Sequence, residues 1–159
     1  MLSFANNNII LQEIGILLIN QDITLSVAES CTGGNIASVI TSVPGSSNYF
    51  QGGIIAYSND VKIKQLNVCL EDLKKYSAVS KKVVIQMAEG VKQQFQTDFS
   101  LSTSGYAGPE GDDVGLVFIA VARPKKTLVK EFFFEGSRNE IIKQITSSAL
   151  TFLLSEIKN

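Results

Sequence analysis

Histidine is absent from the 159 residues, and that absence excludes a large share of hydrolytic chemistry. Ser-His-Asp and Cys-His catalysis, His-ligated zinc and a histidine general base are all impossible. A hydrolase built from this chain must take its base from Lys, Tyr or a carboxylate. Cysteine is scarce, with Cys31 and Cys69 only and no CxxC pair. Two thiols so far apart suit a reducing compartment better than a disulfide scaffold, although counting does not exclude one bridge. Glycine and proline number 12 and 3, and 45% of residues are hydrophobic, which excludes disorder and low-complexity repeats. A basic excess is also missing. Lys plus Arg is 14 against Asp plus Glu 15, a net charge of -1 and a pI of about 5.5, so nucleic acid is not the expected partner. No apolar run reaches the roughly 18 residues of a membrane span; the best, Ile14 to Ile19, stops at Asn20. The N-terminus lacks the basic segment of a signal peptide. The expectation is a soluble, cytoplasmic protein without a membrane partner.

What remains is a full-core chain whose patterns alternate between helix and strand. Asn6 to Asn8 are placed to cap a first helix carrying Ile10, Ile14, Leu17 and Leu18. A strand at 24–28 runs into the small-residue turn 30–34 and a helix ending near Ser42. A second strand is expected at 53–57, followed by a helix capped by Ser58 or Asn59 that holds Lys62 and Leu66. Ser80 caps a long helix with Val83, Val84, Met87, Ala88, Val91 and Phe95 on one stripe. Further on, Phe99, Leu101 and Thr103 alternate with Ser100, Ser102 and Ser104, as in a strand with one small polar face. Residues 114–122 are an almost unbroken apolar run, as in a strand covered on both faces. A turn at 123–126 leads to a hairpin partner at 128–134, and Ser137 with Glu140 reads as a capping box opening the last helix. No linker or repeat divides the chain. The fold expected over 1–159 is one three-layer α/β/α domain with a mixed, mostly parallel sheet and a C-terminal antiparallel hairpin.

Three segments are candidates for chemistry. Ala28-Glu29-Ser30-Cys31-Thr32-Gly33-Gly34 is a strand, a Gly-rich turn and a helix start. That arrangement gathers backbone N–H groups around one point and suits an anion or an oxyanion; plain helix capping by Ser30 or Thr32 is the alternative. In Tyr57-Ser58-Asn59-Asp60-Val61-Lys62, a lysine in the first turn opposes the helix dipole, which disfavours its charged form. A serine needs a base, and without histidine a desolvated lysine is the natural one. A solvated Lys62 and a packing Tyr57 are the alternatives. Ser104-Gly105-Tyr106-Ala107-Gly108-Pro109 ends another strand in small residues that let a ligand approach, or simply form a turn. Cys31 has no cationic neighbour in sequence. Glu29 could orient a lysine or lie in solvent, and Arg138 could reach an anion or lie on the surface. Asp112 and Asp113 lack further ligands at useful spacing and read as a turn, so no metal or other cofactor is expected.

Together, AESCTGG (28–34), PGSS (44–47), GG (52–53), YSN with its lysine (57–62), AVS (78–80), SGYAGP (104–109), VG (114–115) and G-x-R-x-E (136–140) resemble the CinA C-terminal domain family, the PncC-type nicotinamide-nucleotide amidohydrolases. The resemblance runs from about Ile16 to Leu154. It implies deamidation of nicotinamide mononucleotide to nicotinate mononucleotide and ammonia by a metal-free serine–lysine arrangement, in pyridine-nucleotide recycling. Carried over, Ser30 matches the nucleophile and Lys62 the base, with Tyr57 beside them. Thr32, Gly33, Gly34, Ser104, Gly105 and Arg138 match substrate-binding positions. A homodimer is plausible for so small an enzyme. Two departures stand out. Residues 109–115 are shorter and more acidic than the family's usual segment, and Tyr106 replaces an aliphatic residue. A non-catalytic nucleotide-binding member is therefore the alternative expectation.

Overall fold

Apolar residues of both periodicities segregate onto two faces of one sheet. A computed structural model describes residues 4–159. In chain order the elements are α1 (Phe4–Asn20), β1 (Leu25–Glu29), α2 (Asn35–Thr41), a short 3-10 turn (Ser46–Asn48), β2 (Phe50–Ile55), α3 (Asn59–Leu66), α4 (Leu70–Tyr76) and α5 (Lys81–Phe95). They are followed by β3 (Phe99–Gly105), β4 (Leu116–Arg123), β5 (Lys126–Phe133) and α6 (Arg138–Ile157). The sheet order is β2-β1-β3-β4-β5. β1 pairs in parallel with both β2 and β3, while β3–β4 and β4–β5 are antiparallel. Only β4 is reversed, so four strands run one way although the pairings divide evenly.

β4 shows why its sequence is unbroken rather than alternating. Val117, Ile119 and Val121 face α1, α2 and α6, while Phe118, Ala120 and Ala122 face α5. Both faces are dry, so every position must be apolar or small. β3 meets the same demand differently. Leu101 enters the α1/α2/α6 core, and the opposite face carries Ser100, Ser102 and Ser104. Their hydroxyls donate to the carbonyl oxygens of Ala88, Val84 and Ala78 at 2.6, 2.7 and 2.8 Å. Buried hydroxyls need partners, and carbonyls of α5 and of the segment leading into it supply them while small side chains let α5 lie close.

Gly90 marks another close approach. A Cβ built there would run into the backbone of Leu66, its carbonyl oxygen above all. Gly→Ala inside a helix ordinarily stabilises by about 1 kcal/mol. Here the sign reverses, and Gly90→Ala is expected to destabilise by about 1–3 kcal/mol through forced separation of α3 and α5. A urea midpoint equal to or above wild type would overturn this.

Three local expectations are corrected. Asn6 to Asn8 lie inside α1 rather than capping it, and the Asn7 Oδ1 accepts from the Ser147 hydroxyl at 2.8 Å, a tertiary bond to α6. β2 covers 50–55 instead of 53–57, because its register is set by pairing with β1. The seven-residue α4 was not expected at all: it is short and mostly exposed, and only Leu73 is buried. By contrast, Ser58 and Ser80 cap their helices by accepting from Val61 and Val83 N–H. Glu140 accepts from both the N–H and the hydroxyl of Ser137. Among the described residues no helix is long and apolar enough to cross a membrane.

Candidate active site

Three parallel strands end at one edge of the sheet, where open α/β folds place ligands. Ser30 follows β1, Tyr57 closely follows β2, and Gly105 ends β3. The Ser30 N–H donates to the Thr103 carbonyl at 3.1 Å and the preceding Glu29 carbonyl accepts from Ala56 N–H at 2.8 Å, so the serine is pinned between both neighbouring strands. From below, α3 delivers Lys62. Its side chain is only 1% exposed, and Nζ lies 3.2 Å from Ser30 Oγ, 2.8 Å from Ala56 O and 3.3 Å from Tyr57 O.

That geometry orients the amine. Two of its three neighbours are carbonyls, which can only accept. A neutral amine has two N–H bonds for them and one lone pair, which then points at the Ser30 hydroxyl. No carboxylate pairs with Lys62 among the described residues. Burial pushes its pKa below the ordinary 10.5, because a charge without a counter-ion is expensive in a dry site. Cys31, next to the serine, is pushed the other way. Burial raises its thiol to about 12, so it stays protonated and is a poor nucleophile.

Glu29 faces neither lysine nor water. It is 1% exposed, and its carboxylate accepts from the N–H groups of Gly34, Ile36 and Ala37 at 3.1, 3.0 and 2.8 Å. It caps α2 from the end of β1, replacing the missing side-chain cap at Gly34. The signal in the sequence is a carboxylate closing a strand just before a small-residue turn. Within that turn, the N–H of Gly33 is committed to Ser30 O and that of Asn35 to Thr32 O. The expectation that this turn gathers its backbone N–H groups around one point is therefore revised for Gly33 and Gly34. Among the described residues the Thr32 N–H has no backbone acceptor, and the Cys31 N–H lies against its own thiol. The Thr32 hydroxyl is bonded to the Thr103 hydroxyl at 2.9 Å. Gly33 and Gly34 serve the turn through positive φ of 59° and 98°.

A cavity of about 240 Å³ opens above Ser30 and Cys31, with Tyr57, Tyr106, Glu110 and Arg138 around its mouth. Gly105 lines it and has no room for a Cβ against Val117 and Leu116. Ser104 does not line it, since its hydroxyl is spent on Ala78. Arg138 spans the opening, donating from Nη1 to Gly108 O at 2.6 Å and from Nη2 to the Tyr57 hydroxyl at 3.0 Å. Tyr57 is thus divided: its carbonyl touches the lysine and its phenol reaches Arg138. Ala107 and Gly108, from the 104–109 segment of small residues, line the cavity as well, whereas Glu110, just beyond that segment, was not singled out as a lining residue. Asp112 and Asp113 lie in the turn before β4.

The sequence model described as CinA C-terminal domain matches residues 7–157. A CinA-like protein of Flavobacterium psychrophilum is 45% identical over 148 residues, 91% of this chain and 35% of that protein. A putative competence-damage inducible protein of Halothermothrix orenii is 44% identical over 151 residues, 92% of this chain and 37% of that one. The chain thus spans about a third of the length of these relatives. Among solved structures, the competence damage-inducible protein A of Klebsiella pneumoniae superposes with a TM-score of 0.93 at 29% identity, covering 96% of this chain and 98% of that one. A competence-damaged protein superfamily member from Escherichia coli gives 0.86 at 31%, covering 91% and 88%.

Proposed function

The chain belongs to the CinA C-terminal domain family, and from that premise we propose that it is a nicotinamide-nucleotide amidohydrolase. It releases ammonia from nicotinamide mononucleotide by a serine–lysine mechanism, in pyridine-nucleotide recycling. The observation that carries the reading is the buried, counter-ion-free Lys62 amine 3.2 Å from Ser30 Oγ.

In this mechanism the Lys62 lone pair takes the Ser30 proton as Oγ bonds to the carboxamide carbon. The amide oxygen becomes an oxyanion, held by the N–H groups of Cys31 and Thr32. The Lys62 ammonium then gives its proton to the departing nitrogen. The C–N bond breaks, ammonia leaves and an acyl ester on Ser30 remains. Water, deprotonated by Lys62, attacks that ester, and the Lys62 ammonium returns the proton to Ser30 Oγ as the ester C–O bond breaks and the carboxylate product leaves. Ala56 O and Tyr57 O hold the amine in place throughout. Arg138 has further N–H donors for the substrate's phosphate. Neither metal nor other cofactor enters the cycle, the chain acts as one domain in the cytoplasm, and it has no nucleic-acid or membrane partner.

Incubation of the purified protein with nicotinamide mononucleotide, with Ser30→Ala as paired control, tests the reading. Ammonia from wild type alone is expected, and no ammonia from folded wild type would reject it. The shortened acidic segment 109–115 favours one other reading, a nucleotide-binding protein without turnover, which predicts thermal stabilisation by the nucleotide but no ammonia.

The pH profile gives a second test. The active form is the neutral amine, which accumulates above the lysine pKa. Burial lowers that pKa, so kcat/KM is expected to rise with pH and level off below the ordinary lysine value of 10.5. An ascending limb centred at or above that value would show that Lys62 is not the base.

A further inference from the structure

Tyrosine is rare here, four in the chain, yet two of them stand at the one small cavity above Ser30. Tyr57 is 61% exposed and Tyr106 39%. Neither is there to fill the core, and both are held. The phenol of Tyr57 is fixed by Arg138 Nη2. The Tyr106 backbone is clamped on both sides, its N–H donating to Leu116 O at 2.9 Å and its carbonyl accepting from Gly115 N–H at 2.7 Å. The carboxylate of Glu110 stands on the same rim and pairs with no cation among the described residues.

Resting on the amidase reading, we infer that Tyr106 and Glu110 make the site selective for a positively charged aromatic ring. In substrate terms, the oxidised pyridinium nucleotide binds and its neutral, reduced dihydropyridine counterpart is discriminated against. The negative faces of tyrosine rings attract a cation placed over them, and an unpaired carboxylate at the rim adds attraction of the same sign. The guanidinium of Arg138 sits across the mouth, tied to Gly108 O and Tyr57, and suits the anionic end of the same molecule. The cavity therefore matches a ligand whose two ends carry opposite charge, with the ring-borne amide reaching Ser30. Tyr106 and Glu110 are specificity residues in this scheme and take no part in bond making.

The test uses the Ser30→Ala protein, which binds without turnover. Its Kd for nicotinamide mononucleotide and for the reduced form would be measured by calorimetry, alone and with Tyr106→Leu, Tyr106→Phe or Glu110→Gln added. Melting curves would confirm folding of each variant. The oxidised ligand is expected to bind about 10-fold tighter than the reduced one, a difference of about 1.4 kcal/mol. Tyr106→Leu and Glu110→Gln should each lower this ratio at least roughly threefold, whereas Tyr106→Phe, which keeps the ring, should preserve it. A ratio near one in the parent protein, or one unchanged by both Tyr106→Leu and Glu110→Gln, overturns the inference. Ammonia release by wild type is read separately. Selective binding without ammonia removes the amidase reading and leaves the selectivity standing, whereas ammonia from an unselective site does the reverse. Binding of neither ligand removes both.

Discussion

Replacing Ser30 with alanine is expected to lower amide hydrolysis by at least about 10⁴-fold, with the melting temperature close to that of wild type. Removal of a nucleophile abolishes the covalent route entirely, and losses of this size or larger accompany loss of a serine that works as a unit with its base. The substitution removes one small hydroxyl from a site that is 9% exposed, so the fold has little reason to respond. Lys62 should behave as the partner of that serine. Lys62→Met is expected to lower kcat by about 10³-fold or more, within the range for a positioned general base and towards its upper end. Lys62→Arg is the sharper control. Arginine keeps the positive charge but is never a base in a protein, so it should be as inactive as methionine if Lys62 takes the proton. Activity retained by arginine would mean that the cation, not the lone pair, is what the site requires. Because the two residues act on one proton, the double variant should be scarcely worse than either single one, and multiplicative losses would break the pairing.

Glu29→Ala should produce the largest stability loss of any single substitution near the site, about 3–5 kcal/mol by urea denaturation. Three backbone N–H groups, those of Gly34, Ile36 and Ala37, lose their acceptor at once. A buried donor left without a partner costs about 1–3 kcal/mol, and partial entry of water brings the sum below the simple total. The start of α2 carries no side-chain cap of its own, so nothing local replaces the carboxylate. Activity should fall as well, since Ser30 lies between Glu29 and the turn that this carboxylate holds. A loss under about 1 kcal/mol would show that the cap is dispensable. Glu29 thus acts on Ser30 through position, never by touching the substrate.

The helices and strands with strong periodicity were legible from the chain alone. The stripe of α5, the apolar run of β4 and the Ser137–Glu140 box each satisfy a requirement met within one element, and the structure agrees with them. The elements that were misread depended on something distant. Asn7 looks like a cap because its side chain is small and polar, but in the fold it bonds to Ser147 on α6. β2 starts earlier than its own pattern suggests because β1 sets its register. α4 has one buried residue, too little apolar pattern to announce a helix.

The site divides along the same line. With no histidine to serve as base, the sequence by itself determined that any hydrolytic serine here must be matched with a lysine, tyrosine or carboxylate, and the motifs around Ser30 and Lys62 pointed to the pair. Residue types limit what chemistry is available, and they are fully written in the chain. Which N–H groups are free, where Glu29 and the Tyr57 phenol point, that the Ser104 hydroxyl is spent on Ala78 O instead of the cavity, and how dry Lys62 is were decided only by tertiary structure. Each depends on partners brought together by strand pairing and helix packing, and burial, which lowers the lysine pKa and raises that of Cys31, is a property of the surrounding atoms rather than of the residue itself.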